Sequence, residues 1–68
     1  MNHAHKMIIE EQLRTNLTNW MLNHGSILID RKRSNQYVNI RIIKIAWMSY
    51  HWTIIQVNDV TCKIEKSS

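Results

Sequence analysis

The chain has 68 residues, a net charge of +4, one cysteine and one glycine, with 44% apolar and 21% charged residues. That composition excludes wholesale disorder, and the length fits one domain, 1–68, burying only about 60% of its unfolded surface. A lone thiol, Cys62, excludes an intramolecular disulfide, and a lone glycine excludes a glycine-rich phosphate loop.

The first residues are polar with no apolar stretch behind them, so no secretory signal is read and a cytoplasmic location is expected. The longest greasy run, 40–48, is broken by Arg41 and Lys44. It falls well short of the roughly 20 residues a spanning helix needs, so no membrane partner is expected. The positive charge favours an anionic partner, either nucleic acid or the acidic face of a protein.

From about residue 3 to residue 24 the apolar period is helical. Ile9, Leu13, Leu17, Trp20 and Met21 fall on one face at spacings of three, four and seven. Gly25 suits the left-handed position that stops a helix, with His24 beside the negative end of the dipole. Asn2 is an acceptable N-cap, but His3, His5 and Lys6 sit at the wrong end for the dipole when charged.

After Gly25 the period changes to two and β-branched residues dominate, which predicts strands over 26–32, 36–47, 50–57 and 60–65. The expected architecture is α+β: one N-terminal α-helix packed on a four-stranded antiparallel β-meander. Asn58-Asp59 makes a good two-residue hairpin loop and Ser34-Asn35 a plausible one. Met48-Ser49 is chemically poor for such a loop, which leaves a longer loop or a bulge open there.

These turns imply a register. Ile29 meets Ile40, Ile27 meets Ile42, Ile42 meets Ile55, Ile40 meets Val57, Val57 meets Val60, Ile55 meets Cys62 and Thr53 meets Ile64. One face then carries Ile27, Ile29, Val38, Ile40, Ile42, Ile55, Val57, Val60, Cys62 and Ile64. This face is expected to form the core, under Ile9, Leu13, Leu17 and Trp20 of the helix. The opposite face holds Leu28 and a cluster of Ile43, Ile45, Trp47, Tyr50, Trp52 and Ile54, with Arg41, Lys63 and Glu65 at its edge. One helix cannot cover both faces, and exposed apolar patches rich in tryptophan and tyrosine mark binding surfaces. The cluster is therefore expected to meet a protein partner or a second copy of the chain. The competing reading is a bulge near Ile42-Ile43 that turns Ile43, Ile45 and Trp47 into the core.

Arg31, Lys32 and Arg33 form a basic run leading to the first hairpin. With Arg41 and Lys63 they are the candidate contacts for single-stranded nucleic acid, cations following phosphates while rings stack on bases. Tyr37 is near this loop, but the tryptophans lie toward the far end of their strands. Met1-Asn2-His3 has the arrangement that binds Cu(II) or Ni(II) through amine, amides and imidazole, which any free chain with a third-position histidine shares. His3 and His5 point to different sides of a helix, and no zinc or other cofactor set is recognisable. Glu10, Glu11, Asp30, Asp59 and Glu65 are scattered, and nothing in the sequence places His51 or His24 beside Cys62, so no catalytic residues and no small-molecule substrate are read.

The expected function is a small non-enzymatic protein-binding module, an inhibitor or adaptor. Its size, basicity and isoleucine- and asparagine-rich composition are frequent among bacteriophage and mobile-element products, which suggests a target in a host defence or nucleic-acid-handling complex. Alternatives are a single-stranded nucleic-acid binder and a homodimer whose patch is only structural.

Overall fold

Gly25 divides the chain, and it does so because nothing larger fits there. The computed structural model describes residues 3–67. It has α1 (His3–His24), β1 (Ser26–Ser34), β2 (Asn39–Trp47), β3 (Tyr50–Val57) and β4 (Val60–Ser67). The strands form one antiparallel sheet in the order β1-β2-β3-β4. This is the expected α+β meander with its N-terminal helix. Gly25 donates its N–H to the Met21 carbonyl at 2.7 Å, closing the helix. Its φ is not positive, so the left-handed cap expected from the sequence is not what selects glycine. A Cβ there would lie 2.5 Å from Ile45 Cγ2 and 3.0 Å from the carbonyl oxygens of Ala46 and Met21. Ile45 is fully buried and cannot retreat. Gly25→Ala is thus expected to destabilise by about 1–3 kcal/mol through overpacking, read as a lower midpoint in chemical unfolding.

Two of the three turns, Asn58-Asp59 and Met48-Ser49, form as two-residue turns. Asn58 and Asp59 have φ of 50° and 66°, and Met48 and Ser49 have 53° and 69°. Positive φ at both central positions matches the twist of the flanking strands. Asparagine and aspartate tolerate that region, whereas Met48 has no side-chain compensation for it. The β2–β3 register agrees with the expected pairs, Ile40 with Val57 and Ile42 with Ile55, and it also sets Ile43 against Ile54, Ile45 against Trp52 and Trp47 against Tyr50.

The first hairpin departs from expectation. β1 runs on to Ser34 and pairs it with Asn39, leaving a loop over 35–38. The Asn35 carboxamide oxygen accepts the N–H groups of Tyr37 and Val38, both at 2.8 Å, and the Asn35 N–H donates to the Val38 carbonyl. Asparagine caps its own turn in this way. The loop slides β1, so that Arg33 faces Ile40, Arg31 faces Ile42 and Ile29 faces Lys44, with an irregularity between Ile27 and Ile29. The last hairpin also slips. Val57 meets Val60 as expected, but Gln56 pairs with Thr61 and Ile55 with Lys63. Cys62 is the extra residue, and it is exposed rather than in the core. Thr53 accordingly faces Glu65, not Ile64.

The larger correction concerns which face the helix covers. The fully buried apolar side chains are Met21, Ile43, Ile45 and Ile54, with Leu22, Trp47, Trp52 and Ile64 packed against them. Of the face expected to be the core, Ile27, Ile40, Ile42 and Val60 are exposed, while Ile29, Ile55 and Val57 are half-buried. No bulge at Ile42-Ile43 is needed, since the β2–β3 ladder is continuous there. The helix simply lies on the other side.

Its docking face is correspondingly polar. Thr18 and Met21 are buried, and Glu11, Arg14, Thr15 and Leu22 half-buried. α1 lies chiefly against β4. Arg14 Nε donates to the Thr61 carbonyl at 3.3 Å, and the Thr61 N–H donates to Thr15 Oγ1 at 2.9 Å. Thr18 Oγ1 donates to the Arg14 carbonyl at 3.0 Å and lies 2.8 Å from Thr61 Oγ1. A hydroxyl has one proton. Thr18 has used its own, so Thr61 donates to Thr18 and accepts from Gln56 Nε2 at 3.2 Å. Among the described residues, no buried side-chain nitrogen or oxygen lacks a partner.

Candidate interaction surfaces

The six residues expected to form an open aromatic patch do lie together, but under the helix. Ile43, Ile45 and Ile54 are wholly buried, and Trp47 and Trp52 are largely so. Trp52 Nε1 donates to the Trp47 carbonyl at 3.0 Å, and the two indoles tilt against each other with centroids 5.8 Å apart. Tyr50 alone keeps an open side, where Lys66 Nζ stands 4.5 Å from its ring centroid. Burial overturns the expectation that this face is free: it is the core, and it is rich in large side chains for that reason.

Two apolar surfaces remain open instead. The first is the sheet face away from the helix. Pairing places Ile40, Ile42, Ile55, Val57 and Val60 there as neighbours across β2, β3 and β4. The same face carries Arg31 and Arg33 from β1, Lys44 from β2 and Lys63 from β4. An open depression toward its β1 edge is lined by Arg31, Lys32, Arg33, Ile40 and Ile42. Among the described residues the acid on this face is Glu65, which pairs with Lys63 at 2.9 Å where both are exposed, so the contact does little to neutralise the face.

The second surface is the outward side of α1. Ile9, Leu13, Leu17 and Trp20 are all exposed, Leu13 to 62% and Trp20 to 54%. They recur at four, four and three residues, one stripe on the side of the helix opposite Thr18. Trp20 also stacks on His24, with centroids 3.9 Å apart, and the His24 Nδ1–H donates to the Trp20 carbonyl.

The basic candidates divide between the two sides of the sheet. Arg31 and Arg33 are on the open face, whereas Lys32 and Arg41 are on the helix side. Arg41 is engaged, its Nε and Nη2 donating to the two carboxylate oxygens of Asp30 at 2.9 and 2.7 Å. That fork holds the Asp30 carboxyl below its ordinary range against the opposing effect of burial, and it raises the Arg41 guanidinium. Tyr37, 78% exposed in the 35–38 loop, is the one ring near the cations, since the tryptophans of the sheet are covered.

Among the described residues, no three histidine, cysteine or carboxylate side chains are placed to hold a metal ion. The Met1-Asn2-His3 arrangement depends on residues outside those described. No helix among them is long and apolar enough to cross a membrane. Comparison with protein-family models, curated proteins and solved structures returned no match.

Proposed function

We propose that the chain is a non-enzymatic protein-binding module, acting as an inhibitor or adaptor through its open sheet face toward an acidic partner. The observation that carries this reading is the combination of Ile40, Ile42, Ile55, Val57 and Val60 with Arg31, Arg33, Lys44 and Lys63 on one side of the sheet. Contiguous apolar surface supplies affinity, and a charged surround of one sign selects a partner of the other sign and speeds encounter. The face is a product of the β1 slide, which brings two arginines beside the isoleucines.

Binding of single-stranded nucleic acid is the second reading, supported by the same cations and by exposed Tyr37. It is weakened by the loss of the tryptophans as stacking surfaces, because base stacking supplies much of the affinity in such proteins.

Fluorescence anisotropy with two labelled probes separates these readings: a peptide of alternating glutamate and leucine, and mixed-sequence single-stranded DNA. The peptide is expected to bind. Ile42→Asp with Ile55→Asp is expected to weaken it by about tenfold or more, roughly 1.4 kcal/mol, with the far-ultraviolet dichroism unchanged. Arg31→Gln with Arg33→Gln should act mainly on association rate and salt dependence. DNA binding that falls steeply with salt and ignores the isoleucine changes would replace this proposal with the nucleic-acid reading.

A further inference from the structure

The outward stripe of α1 and the open sheet face are both apolar, but their charges differ, and the difference selects an occupant for the helix. Two copies meeting sheet to sheet would bring Arg31, Arg33, Lys44 and Lys63 against their equivalents, with Glu65 alone among the described residues to offset them. The helix stripe has no such bias: its margins carry Lys6 and Glu10, one charge of each sign. Like charges juxtaposed across an interface are costly, so self-association belongs to the helix.

The exposed area is large enough for one interface. The chain exposes 5332 Å², whereas the size scaling of folded monomers gives roughly 4500 Å² for a mass of 8.2 kDa. The excess, roughly 800 Å², equals the surface that each partner buries in a standard interface. The helix contributes to it through His5 to Glu10, Leu13, Leu17 and Trp20, all exposed, alongside the open sheet face.

We infer that the chain forms a homodimer through antiparallel pairing of α1 with α1 of a second copy, sealed by Ile9, Leu13, Leu17 and Trp20. A two-fold axis near position 15 sets Leu13 of one copy against Leu17 of the other, and Ile9 toward Trp20. Such an isologous contact closes on itself and adds no further copies. The helix then has two apolar jobs, Met21 and Leu22 toward its own sheet and the stripe toward its twin. This inference uses a surface separate from the one proposed for partner binding and stands or falls independently of it.

Sedimentation velocity over a concentration series tests it. The wild type is expected at twice 8.2 kDa, and Leu13→Glu with Leu17→Glu as a helical, folded species at the monomer mass. Ile42→Asp with Ile55→Asp should remain dimeric. A monomeric wild type, or a dimer that survives the helix substitutions and dissolves with the sheet substitutions, overturns the inference. An isotope-filtered Overhauser measurement on mixed labelled and unlabelled wild type needs no substitution. Cross-copy signals between the Leu13 and Leu17 methyls and the Trp20 ring support the pairing, and signals confined to Ile42 and Val57 refute it.

Discussion

Ile54→Ala is expected to remove most of the stability of this domain, while Ile42→Ala leaves it near the wild-type value. Ile54 is fully buried, lies between Ile43 and Ile64 across the sheet, and belongs to a core of four wholly buried apolar side chains among the described residues. Truncating a buried isoleucine costs about 2–5 kcal/mol, the lost transfer energy plus the cavity left behind. A domain of this size has roughly 3–10 kcal/mol in total. Ile42 is 37% exposed on the open face. It has less transfer energy to lose and no enclosed cavity to leave, so its truncation should cost about 1 kcal/mol or less. Urea unfolding followed by far-ultraviolet dichroism measures both, at one protein concentration because association shifts apparent stability. If Ile42→Ala were the more damaging change, the helix would have to lie on the other side of the sheet.

Thr61→Val is the second substitution with a large expected effect, although it conserves shape. The Thr61 hydroxyl stands between Thr18 and Gln56, all three of them buried. Replacing it with a methyl leaves the Gln56 amide without that acceptor and Thr18 without its donor, in a place water does not reach. A buried polar group that loses its partner costs about 1–3 kcal/mol. The double change Thr18→Val with Thr61→Val should cost less than the sum of the two singles, because each single change already disrupts the shared contact. Equal and additive losses would mean that the two hydroxyls do not interact. A double-mutant cycle in urea gives the answer.

The helix, the four strands, their order and the central register were all legible in the sequence. Period and composition change together at Gly25, and the turn at Met48-Ser49, which its chemistry alone left open, forms as a two-residue loop and pins the middle of the sheet. The ends of the sheet were harder. Asn35 can sit inside a two-residue loop or cap a longer one, and the outcome moves every residue of β1 against β2. Cys62 reads as one more alternating residue until Thr61 is seen held by the helix. The choice of buried face was not legible, because both faces of the central strands are apolar. Matching the helix stripe Ile9-Leu13-Leu17-Trp20 to the sheet is the natural expectation for a lone domain, and it gives the wrong side. A usable signal was present in the polar triplet Arg14, Thr15 and Thr18. These side chains share the face of Met21 and Leu22 and satisfy the backbone and side chain of Thr61.

The position of the helix also decides the fate of the two sheet margins. At Thr61 both the N–H and the carbonyl of β4 are taken by side chains of α1, so another strand cannot pair there. β1 has no such cover among the described residues, and it is nine residues long. A bare strand of that length is a template for fibrillar stacking, in which chain after chain adds by main-chain hydrogen bonds. Arg31, Lys32 and Arg33 lie along that margin, with an irregularity at Leu28 that spoils its straightness. Like charge along this margin, together with the register irregularity behind it, opposes amyloid-like growth.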